Sequence, residues 1–248
     1  MHGHGVNRPH AIEIWRIELD APAALREAME RVLSPDEHER MGRLIFDRHR
    51  RAFAVTRGAL RVLLAERLGM AAVDLRFEYG EFGKPRVADA CGPHFSVSHS
   101  GDLALIAICQ RSPIGVDVER LRPVPEAVEI AERFFAPREH RQVRDAPPDE
   151  RDRAFLTLWT RKEAALKALG WGLSDDRVQV DASAPTRVVI SCDSHAPLML
   201  ATRSVNPAPE YLAAVAFPDL VELEDARAAI HDFHVRAASP LGPRSAPA

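Results

Sequence analysis

Lysine is scarce in this sequence: of 33 basic residues only three are lysines, Lys84, Lys162 and Lys167. Arginine keeps its charge and presents a planar fork of donors, whereas the lysine ammonium is a compact donor that can release a proton. In a chain that uses arginine for nearly every cation, each lysine therefore indicates a position that arginine would not serve. Chance is the alternative for any single lysine, so the surrounding motifs must decide.

Disulfide frameworks, long apolar runs and strong net charge are also missing. The three cysteines, Cys91, Cys109 and Cys192, fit neither a disulfide framework nor a zinc site. The longest apolar run, Leu103–Cys109, is far shorter than the roughly 20 residues that span a bilayer. The opening residues, MHGHGVNRPH, lack the apolar stretch of a secretory signal. We therefore expect a cytoplasmic protein that contacts no membrane and, with a net charge of −3, no nucleic acid.

The length of 248 residues and the 46% hydrophobic content are those of a globular protein with a sizeable core. A helix start is encoded at Ser34-Pro35-Asp36-Glu37, with Ser34 as N-cap, Pro35 at the first helical position and Glu37 closing a capping box. The helical pattern continues to Leu68 and is predicted to break near Phe46-Asp47.

Strand and helix patterns divide the chain into two halves. Strands are predicted at 11–19, Phe95–Ser98, Leu103–Cys109, Ile114–Glu119, Arg177–Asp181, Arg187–Ser191, Leu198–Arg203, Tyr211–Phe217 and Ile230–Val235. Two or three helices occupy roughly 126–169. Because short turns join the middle strands, antiparallel sheets are expected. The prediction is an α+β fold with an N-terminal half over 1–122, a C-terminal half over 123–236 and a disordered tail over 237–248.

Two acidic side chains lie on one face of a predicted strand. In Ile114-Gly115-Val116-Asp117-Val118-Glu119 the side chains alternate, so Asp117 and Glu119 share a face opposite the two valines. Two neighbouring carboxylates repel each other unless solvent or a cation intervenes. This strand end is therefore either solvated or a site that holds a divalent ion such as Mg²⁺.

A strongly helical segment, Trp159–Lys167, carries an acid and two of the lysines. Glu163 and Lys167 are four residues apart in the favourable order, which as a surface pair would contribute only ~0.3–0.5 kcal/mol. Lys162, however, falls inside the apolar stripe, where a bare ammonium is costly unless it reaches solvent or meets an anion. A half-buried acid beside a buried lysine favours a site over a solvated helix face.

Two further features are weaker by themselves. Ser98, His99 and Ser100 end a strand, where hydroxyls and an imidazole can gather around an anion, although a structural histidine explains the pattern equally well. Seven arginines between positions 40 and 61 are opposed by Asp47 alone, and suit a polyphosphate, an acidic protein or simply a solvated helix face: Arg40, Arg43, Arg48, Arg50, Arg51, Arg57 and Arg61.

In order along the chain, five motifs together resemble the 4′-phosphopantetheinyl transferases of the surfactin-synthetase-activating type. The matching segments are GKP (Gly83–Pro85), FSVSHSGD (Phe95–Asp102), PIGVDVE (Pro113–Glu119), FF-x-x-x-E (Phe134–Glu139) and LWTRKEAALKALGWGL (Leu158–Leu173). The match covers roughly Ser34 to Val180. One motif alone would be unconvincing, but five in this order are highly specific.

The resemblance implies a fold of two similar α+β halves related by a pseudo-twofold, with the active site between them. It implies an enzyme that moves the phosphopantetheine arm of coenzyme A onto a serine of an apo acyl or peptidyl carrier protein and releases adenosine 3′,5′-bisphosphate. In the family, Mg²⁺ is held by the acids that match Asp117, Glu119 and Glu163. Coenzyme A contacts are implied for Lys84, Ser98, His99 and Lys167, and with less specificity for Arg40; Lys162 is placed with them.

Within this interpretation Glu163 is the candidate base for the serine hydroxyl, and Lys167 stabilises or protonates the leaving phosphate. We expect a monomer, because a two-halved chain can supply a complete site. A non-catalytic relative that grips coenzyme A or a carrier protein is one alternative. Another is a different Mg²⁺-dependent phosphoryl or diphosphate enzyme, although no Walker A loop supports it.

Overall fold

The computed structural model describes residues 12–88, 92–171, 178–192, 195–218 and 228–233. Helices and mainly antiparallel strands alternate in these ranges, which confirms the α+β class. The strands are β1 (Ile12–Glu18), β2 (Phe77–Tyr79), β3 (Pro85–Val87), β4 (His94–Ser100), β5 (Leu103–Cys109), β6 (Gly115–Arg120), β7 (Val178–Asp181), β8 (Arg187–Cys192), β9 (His195–Val205), β10 (Tyr211–Pro218) and β11 (Ala228–Asp232). The helices are α1 (Ala23–Glu30), α2 (Pro35–Gly42), α3 (Asp47–Leu68), α4 (Ala127–Phe134), α5 (Pro137–Arg144) and α6 (Arg151–Leu169), with a 3₁₀ turn at Ala72–Asp74.

The first sheet has the strand order β11-β1-β5-β4. Strands β1, β5 and β4 pair antiparallel, whereas β11 pairs parallel to β1. Helices α1 and α3 cover one face of this sheet, and their apolar side chains share a buried cluster with it that includes Ile17, Leu60 and Ile106. Burial of this apolar surface stabilises the first half of the protein.

The second sheet is antiparallel throughout, with the order β6-β10-β9-β8-β7. Helix α6 packs on it through a cluster that includes Leu166, Ile190 and Ala216. Helices α4 and α5 pack against α6 in a separate cluster, where Phe135 stacks on Phe155 with ring centroids 5.1 Å apart. Helix α6 is therefore held between the second sheet and the helix pair α4 and α5.

Two strands join the sheet of the opposite half. Strand β6, predicted within the N-terminal half, pairs with β10 of the second sheet, and β11, predicted within the C-terminal half, pairs with β1. A third core cluster contains residues of both sheets, among them Leu105 and Val215. The two halves predicted from the sequence are thus interleaved.

Several predicted boundaries agree closely with the structure. Helix α2 begins at Pro35 after Ser34, and the Glu37 carboxylate accepts a hydrogen bond of 3.0 Å from the Ser34 N–H. The predicted break separates α2 from α3. Helix α1 and the β2–β3 hairpin were not predicted, and the tail over 237–248 lies outside the described residues. Across the described residues, no helix combines the length and apolarity needed to cross a bilayer.

Candidate functional site

The two sheets meet where β4 and β6 lie side by side, joined by serine side chains. Because side chains alternate along β4, its three serines face the same neighbour. Their hydroxyl oxygens accept hydrogen bonds of 3.1, 3.3 and 3.1 Å from alternate backbone N–H groups of β6: Ser96 from Val116, Ser98 from Val118 and Ser100 from Arg120. This serine ladder fixes the register between the two sheets and brings the acids of β6 beside β4.

Asp117 lies at the centre of this junction and is 4% exposed. Its Oδ1 accepts hydrogen bonds of 2.7 Å from the Ser98 hydroxyl and 2.7 Å from the Lys167 ammonium. Its Oδ2 is buried and has no hydrogen-bond partner among the described residues. Burial raises the pKa of Asp117, and the opposing effects of Lys167 and Ser98 do not cancel it. The site therefore has an unmet demand for positive charge or for hydrogen-bond donors.

Glu163 on α6 lies close enough to Asp117 and Glu119 on β6 for their negative charges to act on it. Burial raises the pKa of Glu163, and the negative charges of Asp117 and then Glu119 raise it further. Glu119 accepts a hydrogen bond of 2.9 Å from the Ser100 hydroxyl. The charges of Asp117 and Glu119 on β6 therefore act on Glu163 of α6, and the three carboxylates remain predicted metal ligands.

The donor set suits Mg²⁺, a hard cation that prefers carboxylate oxygens. The unpartnered Oδ2 of Asp117 and the raised pKa of Glu163 both favour an additional cation. No group of three or more His, Cys, Asp or Glu side chains in the described part of the chain is already arranged to hold a metal ion. The Lys167 ammonium lies 2.7 Å from Oδ1 of Asp117.

A cavity of about 460 Å³ adjoins His99 at the end of β4. Basic and aromatic side chains line it, including Arg40, His49, Phe53 and Arg57. Arg40 lies over the Phe53 ring, 5.7 Å from its centroid. The structure therefore places His99 and Arg40, two of the predicted coenzyme A contacts, on the wall of one cavity.

The arginines of α2 and α3 do not form one solvated stripe. Arg61 is 1% exposed, and its Nε donates a hydrogen bond of 2.5 Å to the buried Glu37. Arg57 donates to the other oxygen of Glu37 and to the Tyr79 hydroxyl, and packs over Phe77 at 4.1 Å. Burial alone would raise the pKa of Glu37, but hydrogen bonds from Arg61 and Ser34 and the charge of Arg57 lower it. This network shapes one wall of the cavity.

Lys84 directly precedes β3, and its ammonium faces backbone carbonyls. Its ammonium donates hydrogen bonds of 3.1 Å to Ile114, 2.6 Å to Lys167 and 3.0 Å to Ala168. Burial lowers its pKa to about 8. These contacts use all three N–H donors of the ammonium, so none remains for a coenzyme A phosphate in this arrangement.

Lys162 directly precedes Glu163 in α6, but its hydrogen bonds go to residues outside the predicted site. It is 2% exposed and donates hydrogen bonds to Glu139, at 2.6 Å, and to the Val180 carbonyl, while lying over Phe135. Burial lowers its pKa, and Glu139 acts in the opposite direction. Glu139 is therefore the anion that a lysine in the apolar stripe needs. These contacts place Lys162 where α5, α6 and β7 meet, and not among coenzyme A contacts.

Some site features were missed at the level of sequence. Ser96 completes the serine ladder, and its signal was the alternating pattern Ser96-x-Ser98-x-Ser100. His49 and Tyr79 line the cavity, but they come from α3 and from a strand of three residues. No local pattern marked either of these two residues as part of a site.

Comparison with protein families finds matches across most of the chain. A family model described as the 4′-phosphopantetheinyl transferase superfamily matches residues 113–216. A second model, described as 4′-phosphopantetheinyl transferase, N-terminal, matches residues 22–111. The two models together include all the predicted site residues.

Individual relatives extend these matches. The 4′-phosphopantetheinyl transferase HetI of Nostoc sp. is 40% identical over 166 residues, which are 66% of this chain and 70% of the relative. The 4′-phosphopantetheinyl transferase Sfp of Bacillus subtilis is 34% identical over 209 residues, 78% of this chain and 92% of the relative. AcpT of Salmonella typhimurium is 34% identical over 113 residues, 46% of this chain and 58% of the relative.

Proposed function

The chain belongs to the 4′-phosphopantetheinyl transferase family, and from that premise we propose that it moves the 4′-phosphopantetheine group of coenzyme A to a serine of an apo acyl or peptidyl carrier protein. The second product is adenosine 3′,5′-bisphosphate. The observation that carries the proposal is the meeting of Asp117 and Lys167 at 2.7 Å, where the charges of both act on Glu163. Ser98, which bonds Asp117, directly precedes the cavity-lining His99 in β4.

The reaction is a displacement at phosphorus. The serine oxygen forms a bond to the phosphorus that carries pantetheine, and the bond from that phosphorus to the bridging oxygen of the pyrophosphate breaks. The serine proton passes to a base, and the electron pair of the broken bond leaves with adenosine 3′,5′-bisphosphate. The protein must therefore supply a proton acceptor and positive charge for the leaving phosphate.

Glu163 is the proposed base. Its carboxylate lies close enough to Asp117 and Lys167 for the charges of both to act on its pKa, which places it at the centre of the proposed site. Lys167 is the proposed donor to the leaving phosphate, because its side chain is 30% exposed and its ammonium lies beside Asp117. Asp117 and Ser98 hold that ammonium in place through hydrogen bonds of 2.7 and 3.0 Å.

Mg²⁺ is the proposed cofactor, held by Asp117, Glu119 and Glu163. When bound, it would neutralise the pyrophosphate charge and favour attack at phosphorus. The buried, unpartnered Oδ2 of Asp117 supports this assignment.

The cavity at His99 is proposed to receive the adenosine end of coenzyme A. Arg40, His49 and His99 offer donors for phosphate oxygens, and Phe53 and Tyr79 offer aromatic surface for the base. Both the carboxylates and this cavity lie within one chain. We therefore propose that a monomer is sufficient for the reaction.

Mass spectrometry of apo carrier proteins tests the proposal. A panel of acyl and peptidyl carriers is incubated with the protein, coenzyme A and Mg²⁺, and adenosine 3′,5′-bisphosphate is measured in parallel. We expect at least one carrier to gain the mass of one phosphopantetheine group, with an equal amount of nucleotide released. The Glu163→Gln variant should form both products far more slowly than the wild type.

Two outcomes would contradict the proposal. Calorimetric binding of coenzyme A without nucleotide release from any carrier would indicate a non-catalytic relative. Turnover of a nucleoside triphosphate without a carrier protein would indicate a different phosphoryl-transfer enzyme.

A further inference from the structure

Lys84 connects two segments whose relative position the proposed reaction depends on. Its ammonium donates to the carbonyl of Ile114, directly before β6, and to the carbonyls of Lys167 and Ala168 in the last turn of α6. Strand β6 carries Asp117, and helix α6 carries Glu163 and Lys167. One side chain thus bonds both elements that supply the catalytic groups.

The strand and the helix touch at the same point. A Cβ at Gly115 would lie 1.9 Å from the carbonyl oxygen of Ala164 and 2.4 Å from the nitrogen of Ala168, so only glycine permits this approach. The Lys84 ammonium fastens the backbone on both sides of this contact. Small changes in its bonding would therefore change the distance between the acids of β6 and those of α6.

The surroundings hold Lys84 itself in place. Gly83 has φ of 77°, and the turn is closed by a hydrogen bond of 2.9 Å from the Gly80 N–H to the Lys84 carbonyl. Helix α6 ends at Gly170, whose φ of 76° is left-handed, and a Cβ there would lie 3.3 Å from Cδ of Lys84. The lysine stem therefore lies against the end of the helix, where a cation is favourable and free carbonyls need donors.

We propose that Lys84 is a positioning residue that sets β6 against α6 and so fixes Asp117 relative to Glu163 and Lys167. This inference rests on the proposed function. It assigns Lys84 a role different from the phosphate contact that the family resemblance implies. It also explains why lysine stands here in an arginine-rich chain: a compact ammonium directs three donors at three converging carbonyls, whereas the guanidinium fork is planar.

Two substitutions test this role, Lys84→Met and Lys84→Arg. We expect kcat to fall roughly 10–100-fold in both, because small misplacements of catalytic groups have effects of that size. The KM for coenzyme A should stay within about twofold of the wild-type value, because the lost hydrogen bonds do not contact the nucleotide. The Mg²⁺ concentration for half-maximal activity should rise, because the acids that are proposed to hold the ion would be displaced from one another. Amide hydrogen exchange should accelerate in the last turn of α6.

The alternative roles give different results. If Lys84 contacts a coenzyme A phosphate, Lys84→Arg should retain activity and Lys84→Met should raise KM while kcat is preserved. If Lys84 only stabilises the fold, both variants should behave like Met29→Ala, a buried substitution on α1 in the core of the first sheet. That control should lower the melting temperature without changing kcat or the Mg²⁺ requirement. Either result would overturn the proposal.

The same experiments separate this inference from the proposed function. Failure of the wild-type protein to modify any carrier would refute the function. Hydrogen exchange in α6 would still report whether Lys84 joins the helix to β6. If Lys84→Met does not fold, Lys84→Arg provides the same measurement. Unchanged hydrogen exchange in Lys84→Arg would refute the positioning role of Lys84, whether or not activity changes.

Discussion

Lys167 and Asp117 form an ion pair of 2.7 Å between α6 and β6. The lysine neutralises one oxygen of a buried carboxylate, while the other oxygen has no partner in the described part of the chain. Glu119 and Glu163 add further negative charge nearby. Within this group of acids the charge of Lys167 compensates only partly, and a divalent cation would complete the balance.

The first prediction concerns Mg²⁺ binding at Asp117. We expect Mg²⁺ to raise the melting temperature of the wild-type protein, because a ligand that binds only the folded state stabilises it, by about 1.4 kcal/mol at ten times its Kd. Asp117→Asn should remove this shift and abolish transfer. Differential scanning calorimetry with and without Mg²⁺ measures the shift.

Asp149→Asn provides the control, since this aspartate is exposed in the loop before α6. It should keep both the thermal shift and the activity. A normal Mg²⁺ shift together with full transfer activity in Asp117→Asn would exclude Asp117 as a metal ligand.

The second prediction concerns the base. In Glu163→Gln we expect the single-turnover transfer rate to fall roughly 10²–10⁴-fold, the usual contribution of a positioned general base. The exposed Glu66→Gln on α3 is the matched control and should transfer normally. Rapid-quench measurement of carrier modification gives both rates, and a decrease of less than about twofold in Glu163→Gln would contradict the assignment.

The third prediction concerns His99, which lines the cavity. In His99→Ala we expect the KM for coenzyme A to rise about tenfold, because a hydrogen bond to a charged phosphate contributes ~1.5 kcal/mol. The effect on kcat should be smaller. Steady-state kinetics with varied coenzyme A measures both constants, with His38→Ala on the exposed side of α2 as the control. An unchanged KM would remove His99 from the binding site.

The fourth prediction concerns the buried network around Glu37. Glu37→Gln leaves Arg61, which is 1% exposed, without a counter-charge, and should lower the free energy of unfolding by ~3–5 kcal/mol. Glu39→Gln removes an exposed pair with Arg43 and should change it by less than about 1 kcal/mol. Urea denaturation monitored by circular dichroism compares the two variants, and equal losses would contradict the assignment.

The difference in unfolding free energy between the wild type and Glu37→Gln should depend on pH in a definite direction. The pKa of Glu37 is lower in the folded protein than its ordinary value of 4.5. Its stabilising contribution is therefore fully present above pH 4.5 and is lost as the pH falls through the lower, folded-state pKa. The stability advantage of the wild type over Glu37→Gln should shrink below pH 4.5, and an advantage that grows on acidification would contradict the shift.

Sequence patterns predicted the long, regular elements well. Strand β5 has the predicted bounds, Leu103–Cys109, because an unbroken apolar run between two turns has few other interpretations. Local spacing also placed Asp117 and Glu119 on one strand, and Glu163 and Lys167 on one helix, which the structure confirms as β6 and α6. Strands β2 and β3 were not predicted, because each has only three residues and the hairpin depends on tertiary packing.

Long-range partners could not be predicted from local patterns. The apolar stripe of α6 showed that Lys162 needed an anion, but Glu139 lies 23 residues away on another helix. Lys84 likewise bonds carbonyls 30 to 84 residues distant. Backbone carbonyls occur at every residue and carry no sequence signal, so this role could be found only in the folded structure.

The parallel pairing of β1 with β11 has a consequence for biosynthesis. During translation, one flank of β1 stays without its neighbour until Asp232 has left the ribosome, although more than two hundred residues of chain are then already made. An uncovered strand flank invites self-association. A protein truncated after Pro218 would keep every proposed catalytic side chain, yet we expect it to aggregate.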